Sequence, residues 1–160
     1  MLAIEYNWWK LLHVLGVLAF VMYHGVSMIV ALRLRKERDR ARIAELLQFS
    51  GSSVRGMYLS LAWLTVFGVI AGVQSGVYTH QGWFWVSLGV LVFIMVEMGA
   101  MARPYYQRLK EAVEIRPSGV PRRSDEELDA MLRSRLPLLN TALGFAALLF
   151  IAYLMIFKPF

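Results

Sequence analysis

The chain has 160 residues, 58% of them hydrophobic, a net charge of +6 and no cysteine. A mean hydropathy of +0.53 lies outside the range of ordinary soluble domains and suits one compact membrane domain. Without cysteine there are no disulfides, thiolate zinc sites, iron–sulfur clusters or covalent c-type haem, so any metal rests on His, Glu, Met, Tyr or backbone donors. The pI of 9.9 would suit nucleic acid, but the basic residues sort by membrane side, so the expected partner is the lipid bilayer and no nucleic acid is expected.

Residues 8–32 read WWKLLHVLGVLAFVMYHGVSMIVAL, with one Lys at the rim and no Asp, Glu or Arg. At about 1.5 Å per residue this run crosses a hydrocarbon core of about 30 Å as a helix. It is too long for a signal-peptide core and no Lys or Arg precedes it, so it reads as a retained span. His13 and His24 fall within about 20° of one another around this helix, about 16 Å apart along its axis. Both imidazoles therefore share one face, which must turn toward protein because hydrocarbon offers them no hydrogen bonds.

Three further spans follow at about 57–78, 83–102 and 136–157, each bounded by aromatic or basic residues. The connections 33–56 and 103–135 carry all the Lys and Arg except Lys10 and Lys158. This asymmetry predicts both connections in the cytoplasm and both termini outside. The expected fold is an all-α, integral membrane, antiparallel four-helix bundle over residues 1–160, N-out and C-out, with amphipathic cytoplasmic helical extensions.

Within those extensions, RLRKERDRARIAELLQF has apolar residues at helical spacing, so helix 1 is expected to continue out of the membrane or lie along its surface. IRPSGVPRR reads as a mobile loop. Ser124 and Glu127 have capping-box spacing ahead of a short amphipathic helix, and Pro137 falls in the first turns of the fourth span. The link THQG suits only an antiparallel hairpin. Gly68, Gly72 and Gly76 form a small-residue face for packing within the bundle or across a homodimer.

Depth counted inward from Trp8, Tyr78, Trp83 and Phe157 sets His13 level with Gln74, Ser87 and Tyr153. The same count sets His24 level with Trp63, with Glu97 and Met98, and with Asn140 and Thr141. Two polar layers result. An ionisable group inside a span costs about 2.5–3.5 kcal/mol on insertion scales, which marks Glu97 as a functional candidate. With His24 it reads as a proton relay, a ligand with its orienting carboxylate, two ligands of one metal, or a hydrogen-bonded structural pair. His13 reads either as a haem or metal ligand or as an interhelical hydrogen-bonding residue. His80 lies in the outer turn, and Met98 is the one methionine at a depth suited to axial ligation.

The run WWKLLHVLG, the long first span with its basic exit, and the closing IFKPF resemble small bacterial membrane proteins of the HemJ and CopD-like group. The resemblance covers nearly the whole chain. It implies a bacterial inner-membrane location and makes His13 the first-span histidine of that group. HemJ proteins are associated with b-type haem and protoporphyrinogen oxidation, and CopD-like proteins with copper handling. Span three carries Glu97 and Met98 where HemJ-type proteins have a histidine, and span two lacks their basic residue. Asn140 matches the fourth-span asparagine region without the acidic residue that follows it, so the likeness is closer to uncharacterised CopD-like relatives.

The expected function is a b-type haem-binding membrane protein with a redox or electron-transfer role. His13 or His24 would be the axial ligand, Met98 a further cofactor-binding residue, and a HemJ-like haem-dependent oxidoreductase the corresponding enzyme. The alternatives are copper or metal handling through His13, His80 and nearby methionines, with His13 and His24 also candidate metal ligands, and a non-catalytic accessory subunit. A homodimer presenting His13 from both copies would supply a second axial ligand.

Overall fold

Good helix formers in long apolar runs, interrupted only at short polar turns, leave the backbone few choices in a medium that cannot hydrogen-bond it. The computed structural model describes residues 2–160, with side chains described from Glu5 onward. Five α-helices are present: α1 (Leu2–Leu34), α2 (Arg40–Gln74), α3 (Gly82–Val113), α4 (Asp125–Leu132) and α5 (Leu136–Phe157), with a 3₁₀ turn at Tyr78–His80. The helices α1, α2, α3 and α5 each provide a stretch long and apolar enough to cross a membrane.

The turns explain where the helices differ from expectation. Helix α1 stops at Leu34 and is not prolonged along a surface. The Glu37 carboxylate accepts the Arg38 and Asp39 backbone N–H groups at 2.9 and 3.1 Å, which holds its carboxyl below the usual glutamate range. Asp39 then caps α2 by accepting the Ala41 N–H at 2.8 Å. The amphipathic stretch is thus the first part of one continuous 35-residue helix.

Helix α2 ends at Gln74, short of the expected residue 78. Ser75 Oγ accepts the N–H groups of Val77 and Tyr78 at 3.2 and 2.9 Å, and Gly76 takes a φ of +67° that favours glycine. Helix α3 continues through Pro104 to Val113, well past residue 102. The segment expected to be a mobile loop is a tight turn. Arg116 donates to Val120 O at 3.0 Å and Arg122 to Glu114 O at 3.0 Å, with Gly119 at φ +79°. The expected capping box is present: Ser124 Oγ accepts from Glu127 N and Glu127 Oε2 from Ser124 N, each at 3.1 Å.

The best-buried apolar cluster joins the end of α1, the start of α2, the end of α3 and α4. It includes Val30, Ile43, Leu47, Leu109, Ala112, Leu128 and Leu132. This end carries the Arg-rich connections and is called the basic end below. Its packing encloses apolar side chains the way water demands, whereas the long helices keep many large apolar side chains on the outside, as lipid allows. Arg40 ties the cluster together from a largely buried position. Its guanidinium donates to Ala112 O at 2.8 Å and to Arg123 O at 2.7 Å, and pairs with Asp125 at 2.7 Å.

Above that cluster, α1 packs along α2 and α3 packs along α5, with sparser contact between the two pairs. The seam between the pairs is where space remains. Replacing Arg40 with Ala is expected to lower stability by about 1–3 kcal/mol, because the half-buried Ala112 carbonyl loses its donor along with the Arg123 and Asp125 contacts. Arg42→Ala, at an exposed position on the same helix, should stay within about 0.5 kcal/mol. Thermal unfolding of the detergent-solubilised variants compares them.

Candidate functional site

The packing of α1 on α2 decides the position of the first histidine. His13 Nδ1 lies 2.7 Å from the Leu64 carbonyl oxygen. A carbonyl only accepts, so Nδ1 carries the proton, and in the neutral ring Nε2 keeps its lone pair. The approach needs glycine on the facing helix: a Cβ at Gly68 would sit 2.7 Å from Nδ1. Gly16 plays the reciprocal part, since its Cβ would lie 2.7 Å from the Trp63 ring and 2.9 Å from the Leu64 backbone nitrogen. Trp63 Nε1 closes the contact by donating to Leu12 O at 2.9 Å, and Trp9 stacks on Phe67 at 5.8 Å.

Two cavities lie in the seam, each lined by α1, α2, α3 and α5. The far cavity, remote from the basic end, has a volume of about 590 Å³ and is mainly apolar. His13, Thr65, Ser87 and Met155 line it, and Tyr6, Lys10, Tyr78 and Lys158 stand around its outer end. Lys158 Nζ donates to the Tyr78 hydroxyl at 2.8 Å, and Ser87 Oγ donates to Trp83 O at 2.8 Å. The basic-end cavity, about 510 Å³, is lined by His24, Ser27, Met98, Asn140 and Thr141, together with Arg103 and Lys110. Phe20 stacks on the His24 ring at 5.5 Å. His24 Nδ1, Ser27 Oγ and Asn140 Nδ2 are all buried without a hydrogen-bond partner among the described residues.

The expected polar layers are thus partly assembled. Ser87 shares a cavity with His13, while Met98, Asn140 and Thr141 share one with His24. Gln74, Trp63, Tyr153 and Glu97 line neither cavity. Gln74 misses because α1 begins before Trp8 and α2 ends before Tyr78, which slides their register by about two turns. For the same reason Trp63, expected level with His24, bonds instead to the carbonyl of Leu12. Tyr153 has the right depth and the wrong face: the cavity is met by Leu148, Ile151, Ala152 and Met155, an i, i+3, i+4, i+7 stripe.

Glu97 forms no hydrogen bond or ion pair with His24 among the described residues, and its Oε2 is buried without a partner. His13 and His24 belong to different cavities, and no group of three or more His, Asp or Glu side chains could hold a metal ion among the described residues. His80 is exposed in the 3₁₀ turn. Sequence reasoning missed Met155, Lys10 and Lys158 as cavity residues. The helical stripe on α5 could have identified Met155, whereas the lysines had been read only as the minority of the charge asymmetry.

The chain matches no family model, no curated protein and no solved structure. Gly68→Ala is expected to push the His13 ring off the Leu64 carbonyl and destabilise the α1–α2 contact by about 1–3 kcal/mol. Gly89→Ala, where a Cβ would meet nothing within 4 Å, should lose no stability. A lower unfolding temperature for the first and not for the second checks the close approach.

Proposed function

We propose that the chain is a b-type haem protein of the bacterial inner membrane with a redox or electron-transfer role, His13 Nε2 being the axial ligand in the far cavity. The observation that carries this reading is the 2.7 Å hydrogen bond from His13 Nδ1 to Leu64 O. A backbone carbonyl on one ring nitrogen sets the tautomer and orients the other nitrogen for a metal, as is usual around ligating histidines. His24 has no such acceptor on Nδ1 among the described residues, which is why His13 is preferred.

The residues present fit the group. The far cavity lies within the range of about 300–1,000 Å³ common for ligand sites, and its lining is mainly apolar. Met155 provides a thioether on α5 in the same cavity, a second ligand type that Met98 cannot offer there because it lines the other one. Lys10 and Lys158 put two ammonium groups around the outer end, suited to the two propionates. Bound haem supplies one-electron chemistry. The protein's part is to hold the imidazole, cover the macrocycle with apolar side chains and pair the acidic edge.

The resemblance of WWKLLHVLG and IFKPF to HemJ and CopD-like proteins is consistent with this reading. The gathering of basic residues at one end supports an orientation with that end in the cytoplasm and both termini outside. Protein expressed with ample haem and purified in detergent is expected to show a Soret band that shifts on reduction. The band should be lost in His13→Ala and kept in His24→Ala. A colourless preparation, or a band that survives His13→Ala unchanged, overturns the proposal.

A further inference from the structure

The basic-end cavity has no part in the haem proposal, yet its chemistry is specific. Asn140 is 6% exposed and lines the cavity, and its Nδ2 donor is buried without a hydrogen-bond partner among the described residues. Ser27 and His24 line the same space, and Ser27 Oγ and His24 Nδ1 are likewise buried without a partner among the described residues. A buried polar group left unpaired costs about 1–3 kcal/mol, so three around one cavity mark a surface shaped for a hydrogen-bonding molecule.

Charge narrows the class of that molecule. Arg103 and Lys110 line the cavity, no Asp or Glu does among the described residues, and neither cation joins any of the ion pairs found among those residues. They lie seven positions apart on α3, hence on one face and about 10 Å apart along its axis. Lys110 reaches across to α2, where a Cβ on Gly51 would be 3.1 Å from its Nζ. Positive charge therefore stands at the basic end of the cavity, while the polar side chains of Asn140, Ser27 and His24 lie along the helices that carry the apolar spans.

We propose that this cavity binds one anionic glycerophospholipid, its phosphoryl group between Arg103 and Lys110 and its ester carbonyls accepting from Asn140 Nδ2 and Ser27 Oγ. A phosphoryl group is the chemistry a lipid headgroup and free phosphate share. The lipid is favoured because Met28, Met57 and Met98 complete the lining with apolar surface, which suits an acyl chain and not a free phosphate. A glycerophospholipid orders its parts in the same sequence: acid, then ester acceptors, then acyl chain.

The test is native mass spectrometry on delipidated full-length chain titrated with palmitoyl-oleoyl phosphatidylglycerol, with the phosphatidylcholine of the same chains, and with inorganic phosphate. One phosphatidylglycerol per chain is expected to be retained, with phosphatidylcholine about tenfold weaker and phosphate alone neither bound nor competing. Asn140→Leu, and separately the pair Arg103→Gln with Lys110→Gln, should each weaken phosphatidylglycerol about tenfold. Ser27→Ala gives the same readout, more weakly, should Asn140→Leu fail to fold by circular dichroism. The pair Lys36→Gln with Arg116→Gln removes equal charge from exposed positions and should leave binding unchanged.

Equal retention of the two lipids overturns the proposal, as does an equal loss in the exposed-charge control. Full binding by the Asn140 and Ser27 variants does so too. Phosphate that competes as strongly as the lipid assigns the site to the free anion and overturns the lipid reading.

Discussion

The close approach of α1 to α2 is the constraint on which the rest of the molecule depends. Two glycines, Gly16 and Gly68, let backbone and ring meet where any Cβ would collide. In that contact the Leu64 carbonyl accepts a hydrogen bond from His13 Nδ1, and Trp63 donates one to the Leu12 carbonyl. In lipid, helices gain little from burying apolar surface against one another, so small residues and interhelical hydrogen bonds of this kind set which faces meet. Once α1 and α2 are locked in this register, their remaining faces form one wall of a seam, and α3 with α5 forms the other.

That division of labour follows the solvent on each part of the chain. At the basic end, water drives Ile43, Leu109, Leu132 and their neighbours into a well-buried cluster, and Arg40 satisfies carbonyls at the close of α3 and ahead of α4. Along the apolar helices the same driving force is absent, and the seam keeps two cavities of about 590 and 510 Å³. Their chemistry differs. One offers an oriented imidazole and a thioether amid apolar side chains; the other offers polar groups unpaired among the described residues beside two cations. One fold thus holds a mainly apolar cavity beside an oriented imidazole and a second cavity lined by two cations.

Much of this was legible in the residues. Hydropathy located four long apolar helices, Ser124 and Glu127 announced the capping box, and His13 with His24 identified a helix face that meets both cavities. Depth counting then brought Ser87 to the first histidine and Met98, Asn140 and Thr141 to the second. It failed for Gln74 and Trp63 because helix ends set by Ser75, Gly76 and the early start of α1 are local turn chemistry, which hydropathy does not register. It failed for Tyr153 because depth says nothing of azimuth, and Met155 sits on the stripe that faces inward. The path of residues 114–122 depends on hydrogen bonds across a short turn, which its Pro and Gly content alone had suggested would be a loop.

The central claim is that the Leu64 carbonyl holds His13 as the Nδ1-protonated tautomer and leaves Nε2 as the available donor. Nitrogen NMR of detergent-solubilised, ¹⁵N-histidine-labelled protein, with His24 and His80 replaced so that one ring reports, reads this directly. At a pH where the ring is neutral, the account predicts a protonated Nδ1 in slow exchange with water and an unprotonated Nε2. A proton on Nε2 with Nδ1 bare, or a ring exchanging freely between the two forms, would contradict it.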